Sequence, residues 1–195
     1  MSEEKSDRRV QRTRQLLHDA LIALILEKRY DKITVQDIID RANIGRSTFY
    51  AHFLDKEDLL ISGFHAFDDE INEYMKNEAH ASESEEHLLH SLIFFRHAYA
   101  NRDLYRAMLE GGGADTLMDT ARRHITENIR SHLAEALSEE SETAVPLSVV
   151  TSFLAGAMLS VLTWWLDADL PYPPEQINRM FQELARTGVQ SMLAN

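Results

Sequence analysis

The stretch ITVQDIIDRANIGRSTFYAHFLDKEDLL occupies residues 33–60 and decides the fold. Its apolar residues recur at the three- and four-residue spacing of amphipathic helices. Thr34 predicts the N-cap of a short helix, and Asn43 tolerates the left-handed conformation in which many helices end. A second helix follows and turns Phe49 and Phe53 inward. Two short helices joined by about three residues and packed on a longer first helix form a helix-turn-helix.

The second of these helices needs a small core behind it and a polar face in front. The predicted core consists of Ile38, Ile39, Ile44, Phe49 and Phe53. The outer face, which would enter a DNA major groove about 12 Å wide, consists of Arg46, Ser47, Thr48, Tyr50 and Ala51. Arg46 can bond a guanine edge twice, Ser47 can serve either base, and the Ala51 methyl can touch a thymine methyl. Phosphate contacts suit Thr34, Tyr50, His52 and Lys56, with helix N-terminal amides at Thr34 and Lys56.

This stretch resembles the N-terminal domain of the TetR/AcrR family of bacterial regulators. The family pattern of a small residue, a turn, Gly-x-Ser/Thr-x-Tyr-x-His/Tyr-Phe and Lys-x-x-Leu is matched by Ala42, Gly45, Ser47, Tyr50, His52, Phe53, Lys56 and Leu59. The match covers roughly residues 10–62 and adds Gly45 to the expected DNA-binding set. The resemblance implies a DNA-binding regulator rather than an enzyme, with an all-helical domain that dimerises and often encloses a small-molecule pocket.

The composition agrees with a helical protein of a reducing cytoplasm. The 195 residues include 7 Gly, 4 Pro and no cysteine, which excludes disulfides and thiolate metal sites. The N-terminus carries no apolar segment, so no signal peptide is expected. The net charge of −12 is uneven: residues 1–60 hold 11 Lys/Arg and 11 Asp/Glu, and the remaining 135 residues hold 9 and 21. Because screening makes attraction to phosphate local, the acidic total does not argue against DNA.

Patterns along the rest of the chain predict an all-α protein of about nine helices in two domains. Residues 1–55 form the helix-turn-helix domain, with a disordered tail at 1–7, and residues 56–195 form the regulatory and dimerisation domain. Asp55 with Asp58 resembles a capping box. The expected helices are 8–27, 34–42, 46–53, 56–77, 82–99, 102–109, 114–136, 146–166 and 175–193, with a loop at 138–143.

Residues 147–166, LSVVTSFLAGAMLSVLTWWL, carry no charge. Three interpretations stay open: a helix buried in a dimer interface, an ordinary core helix, and a membrane span. The interface is favoured, because small residues at four-residue spacing let two helices approach closely, and no membrane partner is expected. The predicted interface comprises Ser152, Gly156, Ser160, Met180, Phe181 and Leu184, and Ile177 and Val189 share the final helix. The segment WWLDADLPYPPE at 164–175 resembles a C-terminal domain of one branch of the family.

Aromatic and methionine side chains on the middle helices are candidates for an effector pocket as a set, although core packing is favoured for any single one of them. They are Phe64, Phe67, Tyr74, Phe94, Phe95, Tyr99, Tyr105, Met108, Phe153 and Trp164. His87, His90 and His97 have a spacing that could bind zinc, but without a placed fourth ligand neither a metal nor a cofactor is expected.

The hypothesis from the sequence is a cytoplasmic bacterial repressor, associated with the nucleoid when bound to DNA. It would bind a palindromic operator as a homodimer and be released by a small-molecule effector. A TetR-like activator and an effector-independent helical interaction module are the alternatives. A histidine- or metal-based enzyme lacks a supporting nucleophile-base spacing.

Overall fold

The structure is a computed structural model that describes residues 2–63, 91–136 and 145–193. In these stretches every regular element is helical and no strand occurs, so the all-α prediction is confirmed. The helices are α1 (Ser2–Glu27), α2 (Val35–Ala42), α3 (Arg46–Tyr50), α4 (residues 56–63), α5 (Ser91–Ala100), α6 (Arg102–Glu110), α7 (Ala114–Ala136), α8 (Leu147–Asp167) and α9 (Pro174–Leu193).

The predicted bounds agree with these helices to within a few residues, with one larger difference. Helix α1 begins at Ser2, so residues 2–7, predicted as a disordered tail, are helical in the structure. No glycine or proline occurs before Gly45, so the sequence has no strong helix breaker there. The predicted helix end near residue 77, the helix start near 82 and the loop at 138–143 lie outside the described residues.

The apolar residues of the helix-turn-helix form a common core with α1. The inner face of α1 is buried, as are four of the five predicted core residues, whereas Ile44 is half-buried. Complete burial of an aliphatic or aromatic side chain contributes about 1.5–3 kcal/mol. The buried side chains of this core are Leu17, Ala20, Leu21, Leu24, Ile25, Ile38, Ile39, Phe49 and Phe53.

The chain divides into two compact units, named here the head and the body. The head comprises Met1–Phe67 and Asp103–Leu117, and the body comprises Asp68–Arg102 and Met118–Asn195. The sequence places a domain boundary between residues 55 and 56, and it assigns α6 to the regulatory domain. In the structure α6 and the start of α7 pack with the head, through contacts more than 80 residues apart that no local pattern could show.

The body has an aromatic core between α5, α8 and α9. The ring of Phe95 lies 5.6 Å from that of Trp165 and 6.0 Å from that of Phe181. The indole Nε1 of Trp165 donates a hydrogen bond of 2.9 Å to the carbonyl oxygen of Tyr172. This bond holds the loop between α8 and α9, in which Asp169 and Leu170 have φ of 60° and 54°.

A buried polar cluster accompanies these rings. The hydroxyl of Ser91 donates to Asn178 Oδ1 at 2.6 Å, and Gln182 Nε2 donates to Ser91 Oγ at 2.8 Å. The three residues join α5 to α9 inside the body, where polar groups need such partners.

Candidate nucleic-acid interface

The start of α2 is fixed by a reciprocal cap, which confirms the predicted N-cap at Thr34. The amide of Asp37 donates to Thr34 Oγ1 at 3.2 Å, and the amide of Thr34 donates to Asp37 Oδ2 at 2.8 Å. Lys28 Nζ lies 2.8 Å from the other oxygen of Asp37. Lys28 and then Thr34 hold the pKa of Asp37 well below its ordinary value. The hydroxyl of Thr34 also donates to Asp37, so this exposed side chain serves the cap first.

The turn between α2 and α3 has the predicted geometry. Asn43 ends α2 in the left-handed conformation with φ of 53°, and the amide of Ile44 donates to the carbonyl of Ile39 at 3.0 Å. Gly45 is the N-cap of α3 with φ of −70°, and a Cβ on it would lie 3.9 Å from Thr48 Oγ1. The fold therefore does not require glycine at position 45. A backbone without a side chain here suits the close approach of a ligand.

The outer face of α3 is polar and accessible. Arg46, Ser47, Tyr50 and Ala51 are exposed, and Thr48 and His52 are half-buried. The ring of Tyr50 packs edge-on against the buried Phe49 at 5.3 Å, and the guanidinium of Arg46 lies 5.9 Å from the centre of the Tyr50 ring. This contact orients Arg46 beside an aromatic ring without neutralising its charge.

Several other cations of the head are already paired with carboxylates. Lys28 pairs with Asp37, Arg29 with Asp31, and Arg41 with Glu27. Arg46 makes no ion pair within the described part of the chain. The sequence reasoning missed Arg9 and Arg12, two exposed cations three residues apart on α1 that also have no ion-pair partner among the described residues. The basic N-terminal half of α1 was the signal that could have found them.

Lys56 is half-buried in the head. Its ammonium group donates to the carbonyl oxygens of Tyr30 at 2.8 Å and Ile33 at 3.0 Å. Burial lowers the pKa of Lys56, whereas the carboxylates of Glu57 and Asp31 raise it by less. In the structure, Lys56, which the sequence predicts as a phosphate contact, binds two carbonyl oxygens of the head.

Two amides in the first turn of α4 are also occupied. Asp55 Oδ1 accepts from the amides of Glu57 at 2.9 Å and Asp58 at 2.8 Å. The predicted capping box is thus only half present, because Asp58 Oδ2 accepts from the amide of Leu54 at 2.9 Å rather than from that of Asp55. The Asp55 carboxylate thus caps the amides of Glu57 and Asp58.

The predicted pocket residues that the structure describes belong to both units. Phe64, Phe67 and Tyr74 lie outside the described residues. Tyr105 and Met108 belong to the head, whereas Phe94 and Phe95 are buried in the body, and Tyr99 stacks on Trp165 with the ring centres 6.2 Å apart. Phe153 and Trp164 are about half exposed, so in the single chain they lie at the surface of the body.

An apolar outer face runs along α8 and α9. Ser152, Ser160, Met180 and Leu184 are exposed, and a Cβ on Gly156 would meet no atom within 4 Å. Phe181, also predicted for the interface, is buried against Phe95, and Ile177 and Val189 are buried as well. We call these exposed residues, together with the half-buried Gly156, the α8–α9 face: Val149, Ser152, Phe153, Gly156, Ser160, Trp164, Met180 and Leu184.

Helix α8 and the histidines bear on the predictions of a membrane span and of a zinc site. Among the residues described, α8 is the one helix long and apolar enough to cross a membrane by length and composition. His87 and His90 lie outside the described residues, and burial lowers the pKa of His97 to about 4. The described stretches hold no cluster of three residues that could bind a metal ion.

Comparison with known proteins identifies the family. Residues 17–62 match the family described as bacterial regulatory proteins, tetR family, and residues 85–187, more than half of the chain, match a family described as transcriptional regulator C-terminal region. The second match includes the segment at 164–175 that resembles such a domain. The chain is 26% identical over 185 residues to the HTH-type transcriptional regulator YxbF of Bacillus subtilis. That alignment covers 92% of this chain and 46% of YxbF, so the chain spans about half the length of this relative.

Solved structures share the fold. A TetR-family transcriptional regulator from Syntrophomonas wolfei has a TM-score of 0.67 at 20% identity, with 91% of this chain and 94% of that one covered. The regulator FadR of Bacillus subtilis, solved with stearoyl-CoA, has a TM-score of 0.56 at 20% identity, with 88% and 96% covered. These relatives are regulators rather than enzymes, in agreement with the sequence prediction. The matched residues, taken with the helix-turn-helix geometry, show that the chain belongs to the TetR family of bacterial transcriptional regulators.

Proposed function

We propose that the chain is a cytoplasmic repressor that binds a palindromic operator as a homodimer and is released by a small molecule. The observation that carries the DNA-binding part is the outer face of α3. Arg46 is exposed there, lies beside Tyr50, and makes no ion pair within the described stretches. A cation on a helix that is held rigidly from behind is what base recognition in a major groove requires.

The proposed contacts divide into base and phosphate contacts. Arg46 would bond a guanine edge, with Ser47 and Ala51 beside it on the bases. Phosphate contacts are proposed for the remaining outer positions, namely Thr34, Gly45 through its backbone, Thr48, Tyr50 and His52. Lys56 is left out of this set, because its ammonium group and the amides of Glu57 and Asp58 already have partners inside the head.

The dimer is proposed to form through the α8–α9 face. Leu184 is 69% exposed and Trp164 is 51% exposed, and both belong to an apolar set on α8 and α9, the kind of surface that marks an interaction site. The open space at Gly156 would let two copies of α8 approach closely. A two-fold dimer would present two copies of α3 about 34–36 Å apart, or a multiple of that, on a palindrome.

The effector is proposed to bind in the body. FadR shares the fold and was solved with stearoyl-CoA, which supports including long-chain acyl-CoA in a ligand panel. The operator would be released if the ligand binds one of two head spacings more tightly than the other. A ligand that raises the melting temperature but leaves operator affinity unchanged would favour the effector-independent module instead.

The test of DNA binding starts from selection of a preferred sequence out of a random DNA pool by the full chain. Fluorescence anisotropy then compares wild type with Arg46→Ala and with Arg130→Ala, a control whose charge is paired with Glu127 on α7. Arg46→Ala should cost about 1–3 kcal/mol and relax the preference at one base position. Equal weakening by both variants would reduce Arg46 to a nonspecific charge, and failure of the wild type to select any sequence would refute DNA recognition.

A further inference from the structure

The turn between α6 and α7 packs against the connector between α1 and α2. We call residues 110–113 the glycine turn and residues 28–34 the connector. The amide of Asp31 donates to the carbonyl oxygen of Gly111 at 3.1 Å. Arg29 Nη1 donates to the carbonyl oxygen of Glu110, also at 3.1 Å. All four residues belong to the head, although about 80 residues separate the two segments.

The closeness of this contact depends on the absence of side chains. A Cβ on Gly113 would lie 3.0 Å from Tyr30 Cδ1 and would also collide with the end of Met108. A Cβ on Gly111 would lie 3.0 Å from the backbone nitrogen of Tyr30. Gly112 adopts a φ of +79°, which L side chains rarely do. Three consecutive glycines therefore bring one backbone into direct contact with the other.

The connector is held from a second direction by α4. Lys56 donates to the carbonyl oxygens of Tyr30 and Ile33, and its ammonium lies 4.4 Å from the centre of the Tyr30 ring. Tyr30 itself is 2% exposed. The connector is thus fixed between the glycine turn and Lys56.

The end of the connector is the beginning of the helix-turn-helix. Thr34 caps α2, and the turn that leads from α2 into α3 is closed by the hydrogen bond from the amide of Ile44 to the carbonyl of Ile39. A displacement of the connector would therefore move the start of α2 and, through the turn, the axis of α3.

We propose that the glycine turn is a positioning element of the head, which sets α2 and α3 for DNA through the connector. The inference rests on the proposed DNA-binding function. It adds that operator affinity depends on residues 110–113, which carry an acidic residue and three glycines and bring no cation to DNA. A packed contact of this kind transmits small displacements, because packed interiors deform in discrete steps rather than continuously.

The first experiment uses the full chain with Gly113→Ala. The new methyl group must push Tyr30 or Met108 away, and the operator dissociation constant should rise at least about fivefold. The slope of log affinity against log salt should stay unchanged, because no phosphate contact is removed. Hydrogen exchange at the Asp31 amide should accelerate, which would report that its bond to Gly111 is weakened.

A second, charge-matched pair covers the case in which Gly113→Ala fails to fold. Arg29→Gln and Arg41→Gln each remove one exposed cation from the head and break one ion pair, but only Arg29 also donates to the carbonyl of Glu110. Arg29→Gln should weaken operator binding by about fivefold more than Arg41→Gln. Equal weakening by the two variants, or a folded Gly113→Ala with wild-type affinity, would overturn the positioning role.

The outcomes separate this inference from the function on which it rests. If the wild type selects no DNA sequence, the proposed function fails and the positioning role fails with it. If the wild type selects an operator and Gly113→Ala binds it equally well, the positioning role alone is refuted.

Discussion

The ammonium group of Lys56 lies 4.4 Å from the centre of the Tyr30 ring and donates a hydrogen bond of 2.8 Å to the carbonyl oxygen of the same residue. A second bond goes to the carbonyl of Ile33 at 3.0 Å. An ammonium group has three donors, and two of them are used here within the head. The residue that the family pattern suggests as a phosphate contact is therefore a structural tie between α4 and the connector.

Replacement of Lys56 by methionine tests this position. Lys56→Met keeps most of the side-chain volume but leaves two carbonyl oxygens without their donor. We expect the head to lose about 1–3 kcal/mol of stability, measured as a lower melting temperature, and the salt slope of operator binding to stay at its wild-type value. A slope reduced by about one, with an unchanged melting temperature, would instead make Lys56 a phosphate contact.

Removal of the Tyr30 hydroxyl, in contrast to Lys56→Met, is not expected to destabilise the head. This hydroxyl is buried and has no hydrogen-bond partner among the described residues, and burial raises the pKa of Tyr30. Tyr30→Phe removes this hydroxyl and should leave the melting temperature equal or higher. Tyr30→Ala, which removes the ring as well, should cost about 3–5 kcal/mol. A clear loss of stability in Tyr30→Phe would contradict the assignment of an unpartnered hydroxyl.

Asp37 gives a prediction for pH. Its pKa in the folded protein lies below the ordinary value, mainly through Lys28 and then Thr34. The stability that the carboxylate contributes is therefore complete above about pH 5 and is lost as the pH falls below about 4. The difference in melting temperature between wild type and Asp37→Asn should shrink when the pH is lowered from 7 to 3.

The control for this titration is Asp40→Asn on the same helix. Asp40 accepts a hydrogen bond from Gln36 at 2.8 Å and makes no ion pair within the described residues. This variant removes a carboxylate from the same helix without touching the cap at Thr34. A pH-independent difference for Asp37→Asn would show that its charge does not support the cap.

The α8–α9 face predicts the assembly state. Leu184→Glu places a charge on a side chain that is 69% exposed in the single chain, so the fold should persist while a dimer formed through this face separates. Leu26→Glu, at a 53% exposed position on α1, is the matched control. Analytical ultracentrifugation should show monomers for Leu184→Glu only, with weaker operator binding because one half-site is lost. A dimeric Leu184→Glu would place the interface elsewhere.

The parts of the head that could be predicted from the sequence are those whose signals are local. Thr34 and Asn43 act on backbone groups within four residues, so each cap follows from the residues beside it. The partners of Lys56 lie 23 and 26 residues away, and those of the glycine turn about 80. Helical periodicity shows that Lys56 follows a turn and that residues 111–113 form another, but it cannot show what either one packs against.

Helix α9 shows the same limit in the body. Phe181 and Leu184 are both apolar and lie within one turn, yet Phe181 packs into the core and Leu184 faces outward. An apolar stripe that is broader than the buried contact gives no internal criterion for which of its residues meet their own chain. That choice is made by the ring contacts of Phe95 and Trp165, which belong to distant segments.

The buried trio of Ser91, Asn178 and Gln182 determines where along its axis α9 can sit. A slide of α9 by one helical turn, about 5.4 Å, would break the 2.6 Å hydrogen bond between the Ser91 hydroxyl and Asn178. Polar groups would then be left without partners in an apolar interior. Apolar contacts alone would tolerate such a shift far better. The trio therefore fixes the register of α9 against α5, and with it the position of Met180 and Leu184 on the surface of the body.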